Sequence, residues 1–231
     1  MDDALLDLLK QVDTPTVCNA IEVAEGRRGF DRFTRRTVLS SAPEAGAIVG
    51  RARTARIAAV SPSEEPAETV RERRMAYYRY MAEGQGPSLA VVEDMDGETA
   101  VGAFWGEINT SVHKGFGLAG ALTNGVMRDL ADLAPGFPVI AGSIGPSHAF
   151  VHVVEVAGPV EIFGMRVEPD DWLHADRHGA VVIPDAVLPD LQKAIGTLQR
   201  TERIVLDAAR APDFDFDRFE AAWAAFEKAR T

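Results

Sequence analysis

The sequence predicts a mixed α/β domain, in which short strands form a sheet that is layered with helices. Between Pro87 and Pro184 the apolar runs are short and are separated by glycine or proline, as in SLAVVEDM, PVIAG, FVHVVEVAG and AVVIP. Both ends of the chain have helical periodicity instead. With 231 residues, of which 46% are hydrophobic, the chain is expected to form one domain over residues 1–231.

The N-terminal part, residues 1–45, is expected to begin with two short helices. The first has one apolar stripe, and the second starts at Thr14-Pro15, with threonine as the N-cap and proline in the first turn. The core, residues 46–184, begins with the alternating strand GAIVGRARTARIAAV, followed by a helix through VRERRMAYYRYMA. Residues 107–114 and 128–133 are expected to be helical segments between the later strands.

The C-terminal part, residues 185–231, is expected to be helical. Apolar residues recur there at helical spacing: Leu188, Leu191, Ile195, Leu198 and Val205. An acidic and aromatic tail, DFDFDRFEAAWAAFEKA, completes it. Two roles are open for these aromatic residues, since they could pack against another subunit or cover the domain's own core.

The charge of the chain limits its partners. A formal net charge of −11 argues against broad capture of nucleic acid or of an anionic membrane, because binding to phosphates needs a basic surface. No run is long and apolar enough for a signal peptide or a membrane span, and the single cysteine, Cys18, cannot form an internal disulfide. A cytoplasmic location is expected, with Cys18 as a small buried residue and not a reactive thiol.

Two motif-like patterns are not expected to bind ligands. Residues 115–120 match G-x-G-x-x-G, but a helix runs into these glycines and a strand leaves them, which is the reverse of a dinucleotide site. Two histidine pairs lack a third ligand or a helical H-E-x-x-H setting, so a structural role is expected for each. These pairs are His148 with His152 and His174 with His178.

An acid-base cluster is the remaining candidate site. Glu107 lies where a predicted strand changes to a helix, and helix starts present free backbone N–H groups to anions. Arg128 and Asp129 lie at a second such junction. Two adjacent strand ends could bring these groups into one pocket, although a helix cap beside a surface arginine is the structural alternative. Carboxylate oxygens would suit Mg²⁺ or Mn²⁺.

The spacing of these residues resembles that of the RraA-like family. Glu107 is followed by 20 residues (108 to 127) and then by Arg128-Asp129, which is similar to the family's acid-x20-Arg-Asp signature. The segments WGEI, TNGVMRDL, GFPVIAG and DDWLHADRHGAVVIP look like successive family blocks over about residues 87–184. The resemblance implies a swivelling β/β/α domain with added terminal helices. It also implies homotrimers or homohexamers with sites between subunits.

The resemblance further implies a lyase that cleaves a 4-hydroxy-2-oxo acid, such as 4-hydroxy-4-methyl-2-oxoglutarate, to pyruvate, with oxaloacetate decarboxylation as a companion activity. Asp129 would bind Mg²⁺ or Mn²⁺, and Arg128 would contact the substrate. Glu107 stands where the aldolases often have aspartate, and it would hold the metal through water. Glu202 is the candidate for an acid from a neighbouring subunit. The substrate carboxylate would bind the backbone N–H groups of Gly106, Glu107, Ile108 and Asn109.

Two other functions are open. The family also includes RraA, a protein inhibitor of ribonuclease E, so the chain could be a non-catalytic regulator that binds such a partner. Alternatively, the insertion PSEEPAETVRERRMAYYRYMAEGQG could reshape the pocket for another lyase or hydrolase that acts on a larger acid. Some members are labelled dimethylmenaquinone methyltransferases, but the sequence has no glycine-rich strand-to-helix loop suited to a methyl donor.

Overall fold

The computed structural model describes residues 1–230, which form six α-helices, two 3₁₀ turns at Gly97–Thr99 and Asp185–Val187, and thirteen strands. The helices are α1 Asp3–Gln11, α2 Thr14–Glu25, α3 Ala67–Ala82, α4 Glu107–Gly115, α5 Leu188–Ala209 and α6 Phe216–Arg230. The strands are β1 Leu39–Ser40, β2 Ile48–Ala58, β3 Ser88–Asp94, β4 Ala103–Trp105, β5 Ala121–Thr123, β6 Val126–Met127, β7 Val139–Ala141, β8 Ser143–Ile144, β9 His152–Val156, β10 Val160–Ile162, β11 Met165–Val167, β12 Trp172–Asp176 and β13 Gly179–Ile183.

The main sheet has eight strands and is centred on the long strand β2. Its order is β1-β7-β5-β3-β2-β12-β13, and β9 also pairs with β2. Strands β2, β3, β5 and β7 are parallel, whereas β1, β9, β12 and β13 run antiparallel to their neighbours. A parallel three-stranded sheet, β4-β6-β8, and the hairpin β10-β11 complete the strands. The predicted mixed sheet layered with helices is confirmed.

Alternating side chains of β3 separate the core into two halves. Ala90 and Val92 pack with the buried residues of α3 and of the β4-β6-β8 sheet. Leu89 and Val91 face the opposite way and pack with the β10-β11 hairpin and with β12 and β13. A third cluster joins α1, α2 and α5 to β13, so the helices of both termini share one apolar layer.

Several local predictions differ from the structure. Asp13, and not Thr14, caps α2, because its carboxylate accepts the Thr16 N–H at 2.9 Å. The Thr14 hydroxyl instead lies 3.0 Å from the Nδ1 atom of His174, which is fully buried and structural as expected. The predicted helix at residues 128–133 is wrong, since this segment is a turn. No helix in residues 1–230 is long and apolar enough to span a membrane.

Asp94, at the end of β3, gives a pH-dependent contribution to stability. Its side chain is buried, Oδ1 accepts the Asp96 N–H at 3.0 Å, and Oδ2 has no hydrogen-bond partner in the described chain. Burial raises the pKa of this carboxyl to about 6. Because the folded state prefers the neutral acid, the contribution is present below the unfolded pKa, about 3.9, and is lost as the pH rises through 6.

We therefore expect Asp94→Asn to raise the free energy of unfolding at pH 7.5 by about 1 kcal/mol, because it removes a buried charge. The difference from the wild type should nearly vanish at pH 4.5. Urea denaturation at the two pH values measures this. A stability difference between the variant and the wild type that is the same at both pH values would show that folding does not raise the pKa of Asp94.

Candidate functional site

The candidate site lies where two neighbouring parallel strands end. In the three-stranded sheet, Ala103 of β4 pairs with Val126 of β6, and Trp105 pairs with Met127. The residues that follow each strand therefore meet at one edge, as is usual for parallel sheets. Arg128 donates its backbone N–H to the carbonyl of Trp105 at 2.8 Å, which joins the two strand ends directly. The predicted meeting of the two junctions is thus present in the structure.

Asp129 has a conformation that explains why no helix starts here. Its φ angle is 55°, in the left-handed region that aspartate tolerates better than most residues. A turn follows, in which the Asp132 N–H binds the Asp129 carbonyl at 2.8 Å. This conformation directs the Asp129 carboxylate back to α4, where Oδ2 accepts the Glu107 N–H at 3.3 Å and lies 3.5 Å from Arg128 Nε.

Gly106 makes this close approach possible. A Cβ at this position would lie 2.5 Å from Asp129 Oδ2, which is closer than real side chains permit, and 3.0 Å from Arg128 Nε, which is a tight contact. Gly106 also provides no side-chain cap for α4. The first turn of α4 therefore presents N–H groups to the same space that the arginine and the carboxylate occupy.

Thr110 fixes the turn to the helix. Its buried hydroxyl donates to the Gly106 carbonyl at 3.0 Å and accepts the Ala134 N–H at 3.0 Å. The segment that carries Arg128 and Asp129 is therefore held at its far end as well as at Trp105. Sequence reasoning missed Thr110, because a threonine inside a helix gives no sign that it binds a distant loop.

A cleft of about 570 Å³ opens beside these groups. Gly106, Ile108, Asn109 and Arg128 line one part of it. Other parts come from the 62–67 segment, from α3 and from the 148–152 loop, and they include Arg74, Tyr78, His148 and His152. The insertion noted in the sequence therefore does form a wall of the cleft. Glu107 and Asp129 are exposed beside Gly106 and lie outside the cleft lining.

A buried aromatic cluster holds α4 in place. The Tyr77 hydroxyl lies 2.6 Å from His113 Nε2, and His113 Nδ1 lies 2.6 Å from the Asn109 carbonyl. Because a carbonyl can only accept, Nδ1 carries the proton and Tyr77 donates to Nε2. Burial lowers the pKa of His113 to about 4, so this network is uncharged at neutral pH. The Asn109 side chain accepts a hydrogen bond from the Tyr78 hydroxyl and donates one to the Phe104 carbonyl, which ties the first turn of α4 to α3 and β4.

His148 and His152 are placed differently from the sequence expectation. Each has Nδ1 near a backbone carbonyl of its own loop, at 2.7 Å from Ala149 O and 2.9 Å from Phe150 O. These carbonyls require the proton on Nδ1, so each neutral ring keeps an Nε2 acceptor. Both residues line the cleft, and Ala149 between them has a positive φ of 45°. The structural role expected for this pair stays a prediction.

Asp129 is the best-placed metal ligand among the predicted residues. Within residues 1–230, no group of three or more His, Cys, Asp or Glu side chains could hold a metal ion. Asp129 Oδ1, however, has no hydrogen bond in the described chain and is on an exposed residue. One such oxygen fits Mg²⁺ or Mn²⁺, which bind through one or two carboxylates and keep several waters. Glu202 lies half-buried on α5, which packs on α2 and α6, and its role stays a prediction.

Comparisons with known proteins agree on the family. A family model described as RraA-like: Aldolase/RraA matches residues 14–182. A protein of Burkholderia mallei named putative 4-hydroxy-4-methyl-2-oxoglutarate aldolase is 31% identical over 112 residues, which cover 48% of this chain and 67% of that protein.

Two solved structures share the fold. One is an uncharacterized protein from Pseudomonas syringae pv. tomato, with a TM-score of 0.70, 21% identity and coverage of 97% of this chain and 94% of that one. The other is RraAS2 of Streptomyces coelicolor, described as an unusual member of the RNase ES inhibitor RraA protein family. It has a TM-score of 0.65, 22% identity and coverage of 91% and 98%. The predicted fold class is confirmed.

We expect Gly106→Ala to lower the free energy of unfolding by roughly 0.5–1.5 kcal/mol, because the new methyl group displaces the Asp129 carboxylate and breaks its hydrogen bond with the Glu107 N–H. The matched control is Gly115→Ala, at the other end of the same helix, where a Cβ meets no atom within 4 Å. The control should be neutral or slightly more stable than the wild type. Urea denaturation of both variants measures this, and equal stability of the two would contradict the close approach at Gly106.

Proposed function

Because the chain belongs to the RraA-like family, we propose that it is a divalent-metal-dependent lyase that cleaves a 4-hydroxy-2-oxo acid, such as 4-hydroxy-4-methyl-2-oxoglutarate, to pyruvate. The observation that carries the proposal is the meeting of Arg128, Asp129 and the first turn of α4, whose N-cap Gly106 supplies no side chain, at one edge of the small sheet. A guanidinium, a carboxylate and free N–H groups are the set of groups needed to bind a 2-oxo acid and to stabilise charge on it.

Binding of the substrate uses this chain's own groups. The substrate carboxylate accepts hydrogen bonds from backbone N–H groups in the first turn of α4, at Ile108 and Asn109, where the helix dipole also favours an anion. Arg128 contacts the 2-oxo oxygen through its terminal guanidinium nitrogens, since its Nε is buried and lies 3.5 Å from Asp129 Oδ2. Asp129 would hold the cation through Oδ1. When bound, Mg²⁺ or Mn²⁺ withdraws electron density from the 2-oxo group.

The reaction breaks the C3–C4 bond of the substrate. The C4 hydroxyl loses its proton to a water held by Glu107, and C4 becomes a carbonyl carbon. The electron pair of the broken bond moves to C3 and onto the 2-oxo oxygen as an enolate, whose negative charge Arg128 stabilises. A proton then returns to C3 and gives pyruvate. In oxaloacetate the same C3–C4 cleavage would release carbon dioxide.

The proposed assembly is a homotrimer or a homohexamer with sites between subunits. In it, Glu202 of the partner subunit is the candidate for a second acid at the site. The competing function is a non-catalytic regulator that binds a protein partner such as ribonuclease E. A regulator would not need the Asp129 carboxylate or the Arg128 guanidinium to bind a small acid. It would therefore show no turnover of a 4-hydroxy-2-oxo acid.

We expect Asp129→Asn to abolish metal-dependent pyruvate release from 4-hydroxy-4-methyl-2-oxoglutarate and from oxaloacetate, because it removes the anionic metal ligand. Asparagine tolerates the positive φ and can still accept the Glu107 N–H, so the fold should be unchanged. Asp132→Asn, in the same exposed turn, is the control and should keep full activity. A coupled pyruvate assay with Mg²⁺, with Mn²⁺ and with EDTA measures this. Wild-type inactivity towards both acids would support the regulator instead.

We expect Arg128→Ala to lower kcat by roughly 10²–10³-fold, as is typical when a donor to a developing oxyanion is removed. Arg128→Lys keeps the charge but not the planar fork, so it should recover only part of this loss. Steady-state kinetics of both variants on the same acid measures the effect. An unchanged kcat in Arg128→Ala would rule out its contact with the 2-oxo oxygen.

A further inference from the structure

One face of α3 contributes a second cation to the cleft. Ala67, Val70, Arg74 and Tyr78 recur at helical spacing and all line it. The neighbouring Arg73 faces Glu65, whose two carboxylate oxygens both bind its guanidinium, and it also lies 3.4 Å from the Val153 carbonyl. Arg74 has no hydrogen bond or ion pair with any residue of the described chain, and it is exposed. Its guanidinium is therefore free to bind a ligand.

The cleft is positively charged although the whole chain is strongly acidic. Its lining contains two arginines, Arg74 and Arg128, and a single carboxylate, Glu65. Arg73 already neutralises Glu65. Arg74 thus has no opposing charge in the described chain, and Arg128 faces only Asp129, whose Oδ2 lies 3.5 Å from its Nε and whose carboxylate the proposed function assigns to a cation. In a protein whose formal net charge is −11, two arginines in the cleft lining against one neutralised carboxylate favour a ligand with two negative charges.

The two arginines approach the first turn of α4 from different elements. Arg74 lies one helical turn, about 6 Å along the axis, before Tyr78. The Tyr78 hydroxyl donates to Asn109 Oδ1 at 2.7 Å, in the first turn of α4, and Arg128 lies against Gly106 at the start of that turn. Apolar residues, among them Val70, line the cleft as well. A short carbon chain can therefore extend from the Arg128 end towards Arg74.

We propose that Arg74 is a specificity-determining residue that binds the second carboxylate of a dicarboxylic 2-oxo acid. This inference rests on the proposed function, because it assigns the 2-oxo end of the same substrate to Arg128 and α4. An arginine fork pairs with a carboxylate through two parallel N–H···O hydrogen bonds, which supplies both energy and orientation. Cleavage would release pyruvate from the Arg128 end and leave the second carboxylate on the product bound at Arg74.

The test is a binding measurement that does not require turnover. Calorimetry with Mg²⁺ compares 2-oxoglutarate with 2-oxopentanoate, which has a methyl group in place of the second carboxylate. The wild type should bind the dicarboxylate roughly 10- to 100-fold more tightly, which is the usual range for a charge-assisted hydrogen bond. Arg74→Ala should abolish this preference without changing the affinity for 2-oxopentanoate. Arg71 is also exposed on α3 but does not line the cleft, so Arg71→Ala should keep the preference for the dicarboxylate.

The outcomes separate this inference from the proposed lyase activity. If Arg74→Ala keeps the preference for the dicarboxylate, or if the wild type has none or binds neither acid, the role of Arg74 is overturned, even if pyruvate is released from a 4-hydroxy-2-oxo acid. If the preference depends on Arg74 but no pyruvate forms from any such acid, the lyase activity fails and the recognition of a dicarboxylic 2-oxo acid stands.

Discussion

Gly106 leaves the space in which the Asp129 carboxylate lies against the first turn of α4. The pairing of β4 with β6 brings the two strand ends together, but a Cβ at Gly106 would lie 2.5 Å from Asp129 Oδ2 and would separate them. The positive φ of Asp129 directs the carboxylate into this space, and Thr110 fixes the following turn. Strand pairing, one glycine and one left-handed residue thus place one carboxylate within 3.5 Å of both an arginine and the N–H of a helix start.

The residues that support α4 from behind are uncharged, whereas the residues that line the cleft in front of it include charged side chains. Behind α4, the Tyr77–His113 pair is buried and uncharged at neutral pH, since burial lowers the pKa of His113 to about 4. It positions the helix without adding a charge near the ligand. At the front, Arg74 and Arg128 face the cleft, whereas Arg73 is occupied by Glu65. This separation gives a strongly acidic chain a cleft whose lining has two arginines, as the proposed binding of a small acid requires.

The sequence predicted those features that depend on local patterns. Helical spacing indicated α2 and α5, and the junctions at Glu107 and Arg128 indicated a site, because strand ends and helix starts leave local signals. The helix expected after Arg128 is absent, since a pattern of apolar residues does not reveal the backbone angle of Asp129. The roles of Arg74, Tyr78 and His148 in the cleft were not foreseen, because they depend on how α3 and a distant loop pack beside α4. Such contacts are long-range and have no signature in either segment alone.

The central claim is that Arg128 and the α4 start stabilise the enolate of a 2-oxo acid, and hydrogen exchange on pyruvate tests it without knowledge of the natural substrate. The wild-type protein is incubated with pyruvate and Mg²⁺ in deuterated water, and the deuterium content of the methyl group is followed by mass spectrometry. The account expects exchange well above the rate without protein, and no such exchange in the presence of EDTA. Exchange no faster than in buffer, at saturating pyruvate and metal, would contradict it.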